Sequence, residues 1–309
     1  MPKKNDAMNA YLEAMRLERW PRSTAIFFGM AAFFFLNESH RTAFTPAELF
    51  LRLFTSFLLT WGISTANYII NEIVDAPYDA HHPTKKNRPL VRGKIKKTPF
   101  FLMGVLLTVI SLGTAAAFFS LPFFLSLFGL LLAGFIYNIK PVRTKDVPFL
   151  DSISESANNP IRFFIGWYAF APVTLFPPLS LLLCWWAFGN FLLVAKRLSE
   201  FRFLKDKAGD YRQSLRKYTK TSLLFGMAAS TAFFIATYVW FTLANRLELF
   251  FYLSPPVLFF FFLIFRTTLV EEEVMEEPER LLKHAGFAGF SLALLALFIL
   301  AALLDKVGY

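Results

Sequence analysis

Three oxygen-bearing side chains, Asn71, Asp75 and Asp79, stand at equal intervals near the end of a long apolar run. On a helix, residues at i, i+4 and i+8 project from one face within about 12 Å. Hard oxygen donors in such a row suit a divalent cation. Magnesium fits best, because it takes one or two protein carboxylates and completes its shell with water and substrate phosphate. Pro77 interrupts the row and predicts a kink or a helix end close to Asp79. The bland reading pairs Asp75 and Asp79 with Lys85, Lys86 and Arg88 in a solvated loop. The regular spacing, the position at the end of an apolar run and the basic stretch that follows favour chemistry. His81 and His82 raise zinc, but a zinc site needs three or four ligands in tight geometry. Only His40 and His284 remain elsewhere, so the pair reads as polar loop residues.

The elements that hold this row are membrane spans. Of the 309 residues, 56% are hydrophobic and only 17% are charged, against about a quarter charged in a soluble domain. The apolar residues fall into long runs able to cross a ~30 Å hydrocarbon core. Nine transmembrane helices are expected, over 23–37, 47–71, 98–119, 121–139, 149–170, 179–195, 222–244, 248–269 and 285–304. The fold class is therefore all-α integral membrane. Residues 1–22 form a cytoplasmic N-terminal segment and 23–309 a single transmembrane catalytic domain. Residues 1–19 are charged and lack the apolar centre of a signal peptide. About 27 of the 32 Lys and Arg lie at the N-terminus or in the loops after spans two, four, six and eight. That alternation puts the N-terminus in the cytoplasm and the C-terminus outside. The net charge of +10 is then topology and attraction to anionic lipid, and no nucleic-acid partner is needed.

Span five is the least apolar, with Ser154, Glu155, Asn158, Asn159 and Arg162 inside it. A charge at membrane depth is costly and reads as functional: Arg162 lines a polar cavity or pairs with Glu155 seven residues earlier. Cys184, the single cysteine, reads as an apolar filler. The run Phe259-Phe260-Phe261-Phe262 reads as lipid contact. The acidic stretch 271–279 reads as a solvated loop and a candidate gate over the cavity, with metal binding the minority reading.

Asn71-Glu72-x2-Asp75-x3-Asp79 followed by Arg88-Pro89-Leu90-x2-Gly93 resembles the first aspartate-rich motif of the UbiA superfamily of intramembrane prenyltransferases, which also has nine spans. The usual motif has Asp where this chain has Glu72. One branch, the decaprenyl-phosphate phosphoribosyltransferases, is more similar. It shares His82-Pro83-Thr84-Lys85-x2-Arg88-Pro89, and Ala195-Lys196-Arg197-x2-Glu200 followed by Arg212-x-Ser214-Leu215-x2-Tyr218-Thr219. Typical prenyltransferases carry a second Asp-x3-Asp motif after span six; here Lys196-Arg197-x2-Glu200 replaces it. Arg16-x3-Trp20-x-Arg22 and Glu277-Pro278-Glu279 are weaker echoes of the same branch.

The resemblance implies a UbiA-like bundle in the plasma membrane with a polar cavity facing the cytoplasm. It implies Mg2+-dependent transfer of a 5-phosphoribosyl group from phosphoribosyl diphosphate to a polyprenyl phosphate. Asn71, Asp75 and Asp79 would hold the metal, Asp75 and Asp79 as the catalytic pair. The donor's extra phosphate needs cations, and planar Arg forks bind phosphate well. The candidates for substrate binding are Arg22, Lys85, Arg88, Arg162, Lys196, Arg197, Glu200 and Tyr218. Lys196 and Arg197 otherwise decorate a helix end; Glu200 orients one of them or accepts a ribose hydroxyl. The site would thus have an acidic half and a basic half. Prenyl transfer to an aromatic or other acceptor is the nearest alternative. A transporter fits less well, since its site tends to lie at the midplane between internal repeats. Lipid chain length and oligomeric state are left open.

Overall fold

The computed structural model describes residues 4–80, 85–205, 208–270, 281 and 283–307. His81 and His82, the acidic stretch 271–279 and its Glu277-Pro278-Glu279 lie outside them. The described chain is helical throughout: α1 (Lys4–Met15), α2 (Ile26–Leu36), α3 (Pro46–Asp79), α4 (Lys97–Phe118), α5 (Leu121–Asn138), α6 (Leu150–Ser156), α7 (Asn158–Tyr168), α8 (Leu179–Leu204), α9 (Ala208–Tyr211), α10 (Lys220–Ala244), α11 (Glu248–Tyr252), α12 (Ser254–Val270) and α13 (Ala285–Val307). Six of these, α3, α4, α5, α8, α10 and α13, are long and apolar enough to cross a membrane. The other three expected spans are built from shorter pieces. Residues 17–25 form a 3₁₀ segment, so only α2 of the first span is α-helical. The span at 149–170 breaks at Ala157 into α6 and α7, and the one at 248–269 breaks at Leu253 into α11 and α12.

Local sequence accounts for where the long helices start. Thr45 caps α3 by accepting from the Glu48 amide, Glu48 reaches back to the Thr45 amide, and Pro46 takes the first turn. Thr219 and Ser222 cap α10 in the same reciprocal way. Large side chains such as Phe118, Phe225 and Leu292 stay on the surface. In water these would be liabilities; against lipid tails they are the expected outer face.

The chain divides into two compact units. The first comprises Met1–Asp146 and Ala157–Pro177. In it, α1, α3 and α4 share a core of Ala10, Ala14, Met15, Ile69, Ile95 and Phe100. Helices α2 and α7 meet through glycines. A Cβ on Gly29 would stand 2.0 Å from the Phe163 carbonyl oxygen, and one on Gly166 would stand 1.8 Å from that of Ile26. Small residues let backbones touch where lipid gives helices little hydrophobic reason to associate. Phe33 and Trp167 close the contact edge to face at 5.4 Å. Gly166→Ala is expected to cost about 3 kcal/mol or more through overpacking. The check is a collapse of monodisperse yield and melting temperature in detergent.

The second unit comprises Val147–Ser156 and Pro178–Tyr309. Its core draws on α8, α10, α12 and α13 through residues such as Phe191, Leu198, Leu223, Met227, Phe261 and Leu294. Phe261 therefore departs from the expected lipid-facing run. Its ring lies 4.7 Å from those of Phe191 and Phe234, while Phe259 and Phe262 stay exposed. Cys184 is buried, as expected of a filler.

Candidate active site

In the first unit, the last three turns of α3 carry Asn71, Glu72, Asp75 and Asp79. The helix runs past Pro77 and ends at Asp79. Asp79 thus stays on the same helix as Asn71 and Asp75, and the proline only withholds the amide that would have bonded the Ile73 carbonyl.

The partners of these oxygens come from two loops. After α5, the 3₁₀ turn Thr144–Asp146 turns Lys145 inward. The Lys145 ammonium is buried and donates to Asn71 Oδ1 at 3.3 Å, to Asn138 Oδ1 at 2.9 Å and to Asp75 Oδ1. Arg143 donates from Nη2 to Asp75 at 3.3 Å, from Nε to Asp146 at 2.8 Å and from Nη1 to the Asn138 carbonyl at 3.1 Å. Its guanidinium also lies 5.0 Å from the Tyr78 ring centre. In the loop after α3, Arg88 pairs with Asp79 and stands 3.4 Å from Glu72. Burial, and then the neighbouring charge of Arg16, lower the Arg88 guanidinium from its ordinary value, and it remains charged. Gly93 closes that loop at φ 70, a left-handed turn that suits glycine. Lys85 begins the short 3₁₀ turn Lys85–Asn87 just ahead of Arg88.

Oxygens from two elements thus gather around one positive charge. An ammonium caged by Asn71, Asp75 and Asn138 marks a place whose donors also fit a hard divalent cation. Lys145, Arg143 and Asn138 did not emerge from sequence reasoning, which assigned the loop after span four to topology. The available signal was the mixed-sign turn Arg143-Thr144-Lys145-Asp146, which begins five residues after Asn138. Arg22, at the end of the 3₁₀ segment 17–25, is exposed, and Arg162 is half-buried on α7. Glu155 lies on α6 and Arg162 on α7, on either side of the break at Ala157.

The second unit contains a different cluster. The sequence offers Arg197 as a phosphate fork; the structure commits it elsewhere. Its guanidinium is 1% exposed and donates to Asp151 at 2.8 Å, Glu200 at 2.8 Å and Glu155 at 2.9 Å. Asp151 is fully buried and also accepts from Ser214 at 3.1 Å and from the Tyr218 hydroxyl at 2.6 Å, with Arg212 3.6 Å away. Tyr218 in turn accepts from the Phe149 amide. Burial, followed by the charge of Asp151, pushes the Tyr218 phenol up, so it stays a donor. The Arg197 cluster is thus an internal lattice of charges with three carboxylates in it. The expected basic half has its Arg197 paired with three carboxylates, and Tyr218 donates to Asp151 of α6. Asp151 went unnoticed in the sequence because its partners Arg197, Ser214 and Tyr218 lie 46, 63 and 67 residues away in the chain. The motif residue Thr219 has a plain role as the cap of α10. Lys196 is half-buried on α8 beside this cluster.

A sequence model of the UbiA prenyltransferase family matches residues 25–287. The decaprenyl-phosphate phosphoribosyltransferase of Mycobacterium tuberculosis is 25% identical over 195 residues, covering 62% of this chain and 61% of that protein. The match thus spans less than two thirds of that relative's length. The protein of the same name from Corynebacterium glutamicum is 26% identical over 245 residues, covering 77% of this chain and 69% of that one. Among solved structures, a UbiA homolog from Archaeoglobus fulgidus bound to GPP and Mg2+ superposes with a TM-score of 0.62 at 20% identity, over 95% of this chain and 99% of the other. At that identity the likeness speaks for the fold. With six membrane-crossing helices, this fold and a family match over most of its length, the chain belongs to the UbiA prenyltransferase family, as an integral membrane transferase.

Proposed function

We propose that the protein transfers a 5-phosphoribosyl group from phosphoribosyl diphosphate to a polyprenyl phosphate and releases diphosphate. The observation that carries the reading is the oxygen cluster of Asn71, Asp75 and Asp79 with Lys145, Arg143 and Arg88 within bonding reach of it. Such a mixture suits a substrate that brings a divalent cation and several phosphates together. The names of the two bacterial relatives point the same way.

Asn71, Asp75 and Asp79 would hold magnesium. When bound, the ion supplies neutralisation of the diphosphate leaving group. Lys145, Arg143 and Arg88 donate to diphosphate oxygens as the sugar C1–O bond breaks, and their aim at the developing negative charge is where the barrier falls most. A new C1–O bond forms to an oxygen of the lipid phosphate. That oxygen is already anionic, so no general base is required. Lys85 and Arg22 are the further cations for the terminal phosphate. On this reading the site faces the cytoplasm of a plasma-membrane protein, as the basic loops suggest.

Prenyl transfer from a prenyl diphosphate is the second reading, since it uses the same metal site. One assay separates them. Purified protein with magnesium, polyprenyl phosphate and labelled phosphoribosyl diphosphate is expected to give lipid-extractable label that EDTA abolishes. Absence of transfer, with turnover of a prenyl diphosphate instead, would discard phosphoribosyl transfer.

A further inference from the structure

Glu72 lies next to Asn71 in the motif but is no part of the proposed metal set. It is 1% exposed, and its Oε2 accepts from Arg16 Nη2 at 2.7 Å and lies 3.4 Å from Arg88 Nη1. Its other oxygen, Oε1, has no hydrogen-bond partner among the described residues. A buried carboxylate between two guanidinium groups is a bridge, and the same Arg88 nitrogen goes on to Asp79. The result is a chain of alternating charge: Arg16, Glu72, Arg88, Asp79.

The far end of that chain is anchored by α1. Arg16 directly follows this helix and stands at φ 53, ψ 46, a left-handed conformation that disfavours side chains. The bond to Glu72 compensates for it. One turn earlier, Ala10, Ala14 and Met15 pack against Ile69, Ile95 and Phe100. The Tyr11 hydroxyl accepts from the Lys96 amide at 3.1 Å. The loop that carries Arg88 is therefore held from two places on the N-terminal segment. Tyr11 holds its end at Lys96, and Arg16 holds Arg88 through Glu72.

We propose that Arg16 and Glu72 are positioning residues that aim Arg88 at a magnesium–diphosphate group, and that Glu72 is not a metal ligand. The Glu72 carboxylate is 1% exposed and shared by two arginines, whereas the Asp75 side chain keeps 21% of its surface open. The inference rests on the proposed diphosphate site but not on which group is transferred.

The test is Mg2+-dependent binding of inorganic diphosphate to the full-length protein in detergent, measured by calorimetry. Arg16→Ala and Glu72→Gln are each expected to weaken binding roughly tenfold, and the double variant no more than about twofold further, as coupled neighbours do. Arg16→Lys should restore most of the loss, and Arg16→Ala should add nothing in an Arg88→Ala background. A merely structural role would lower the melting temperature without this pattern. Unchanged binding in Arg16→Ala overturns the relay. Abolished binding in Glu72→Gln with full binding in Arg16→Ala makes Glu72 a ligand and overturns it too. Arg16→Gln carries the comparison if Arg16→Ala does not survive purification. A wild-type protein that binds no magnesium–diphosphate overturns the site itself and this inference with it, a distinct result.

Discussion

Asp75→Ala is expected to lower turnover by at least about 10²–10³-fold while the purified protein stays folded. Asp75 is where the two cations of the loop after α5 converge, Lys145 through its ammonium and Arg143 from 3.3 Å. On the proposed reading, removing it takes away a metal ligand and misplaces both diphosphate donors at once. The fold survives because neither cation is orphaned. Lys145 keeps Asn138 and Asn71, and Arg143 keeps Asp146 and the Asn138 carbonyl. Losing one partly exposed acceptor costs about 1–3 kcal/mol, less than the stability of an ordinary domain. Turnover with and without magnesium, beside a melting curve in detergent, checks both halves. Retained activity would remove the metal assignment; a lost melting transition would recast Asp75 as structural.

Arg197→Met has the opposite expected signature, loss of the folded protein. The guanidinium is the shared counter-charge of Asp151, Glu155 and Glu200, two of which are buried. Breaking a buried pair from one side costs about 3–5 kcal/mol, because the stranded charge remains in a poor dielectric. Here one substitution strands several. The expected observation is a collapse of monodisperse yield. Adding Asp151→Asn should recover part of it, since that removes the most buried of the stranded carboxylates. If the single variant melts like the wild type, the lattice is not a structural element. Arg197 would then return to the list of substrate ligands.

The membrane class was legible because apolar runs of about 20 residues have few soluble alternatives. The 71/75/79 row was legible because helical periodicity is local: α3 alone determines it. What escaped is what depends on tertiary approach. Lys145 and Asp75 are seventy residues apart, and Arg197 and Asp151 forty-six. A basic residue at a helix end reads alike whether it faces water or a buried carboxylate. The breaks at Ala157 and Leu253 had a local signal that the apolar runs overrode: Pro160 follows the first by three residues and Pro255-Pro256 follow the second. Pro77 was informative in the expected way: α3 runs through it for two residues and ends at Asp79.

The self-neutralising arrangement at the end of α3 bears on how such a protein is made. Asp75 and Asp79 already have cations beside them, contributed by the chain itself. Repulsion between the carboxylates is answered during insertion and folding, and no ion has to be supplied by the cell at that stage. On the proposed reading, Asn71, Asp75 and Asp79 would hold magnesium when substrate is bound, and Lys145 would hold Asn71 and Asp75 between turnovers. The same oxygens would then serve biogenesis and catalysis at different times.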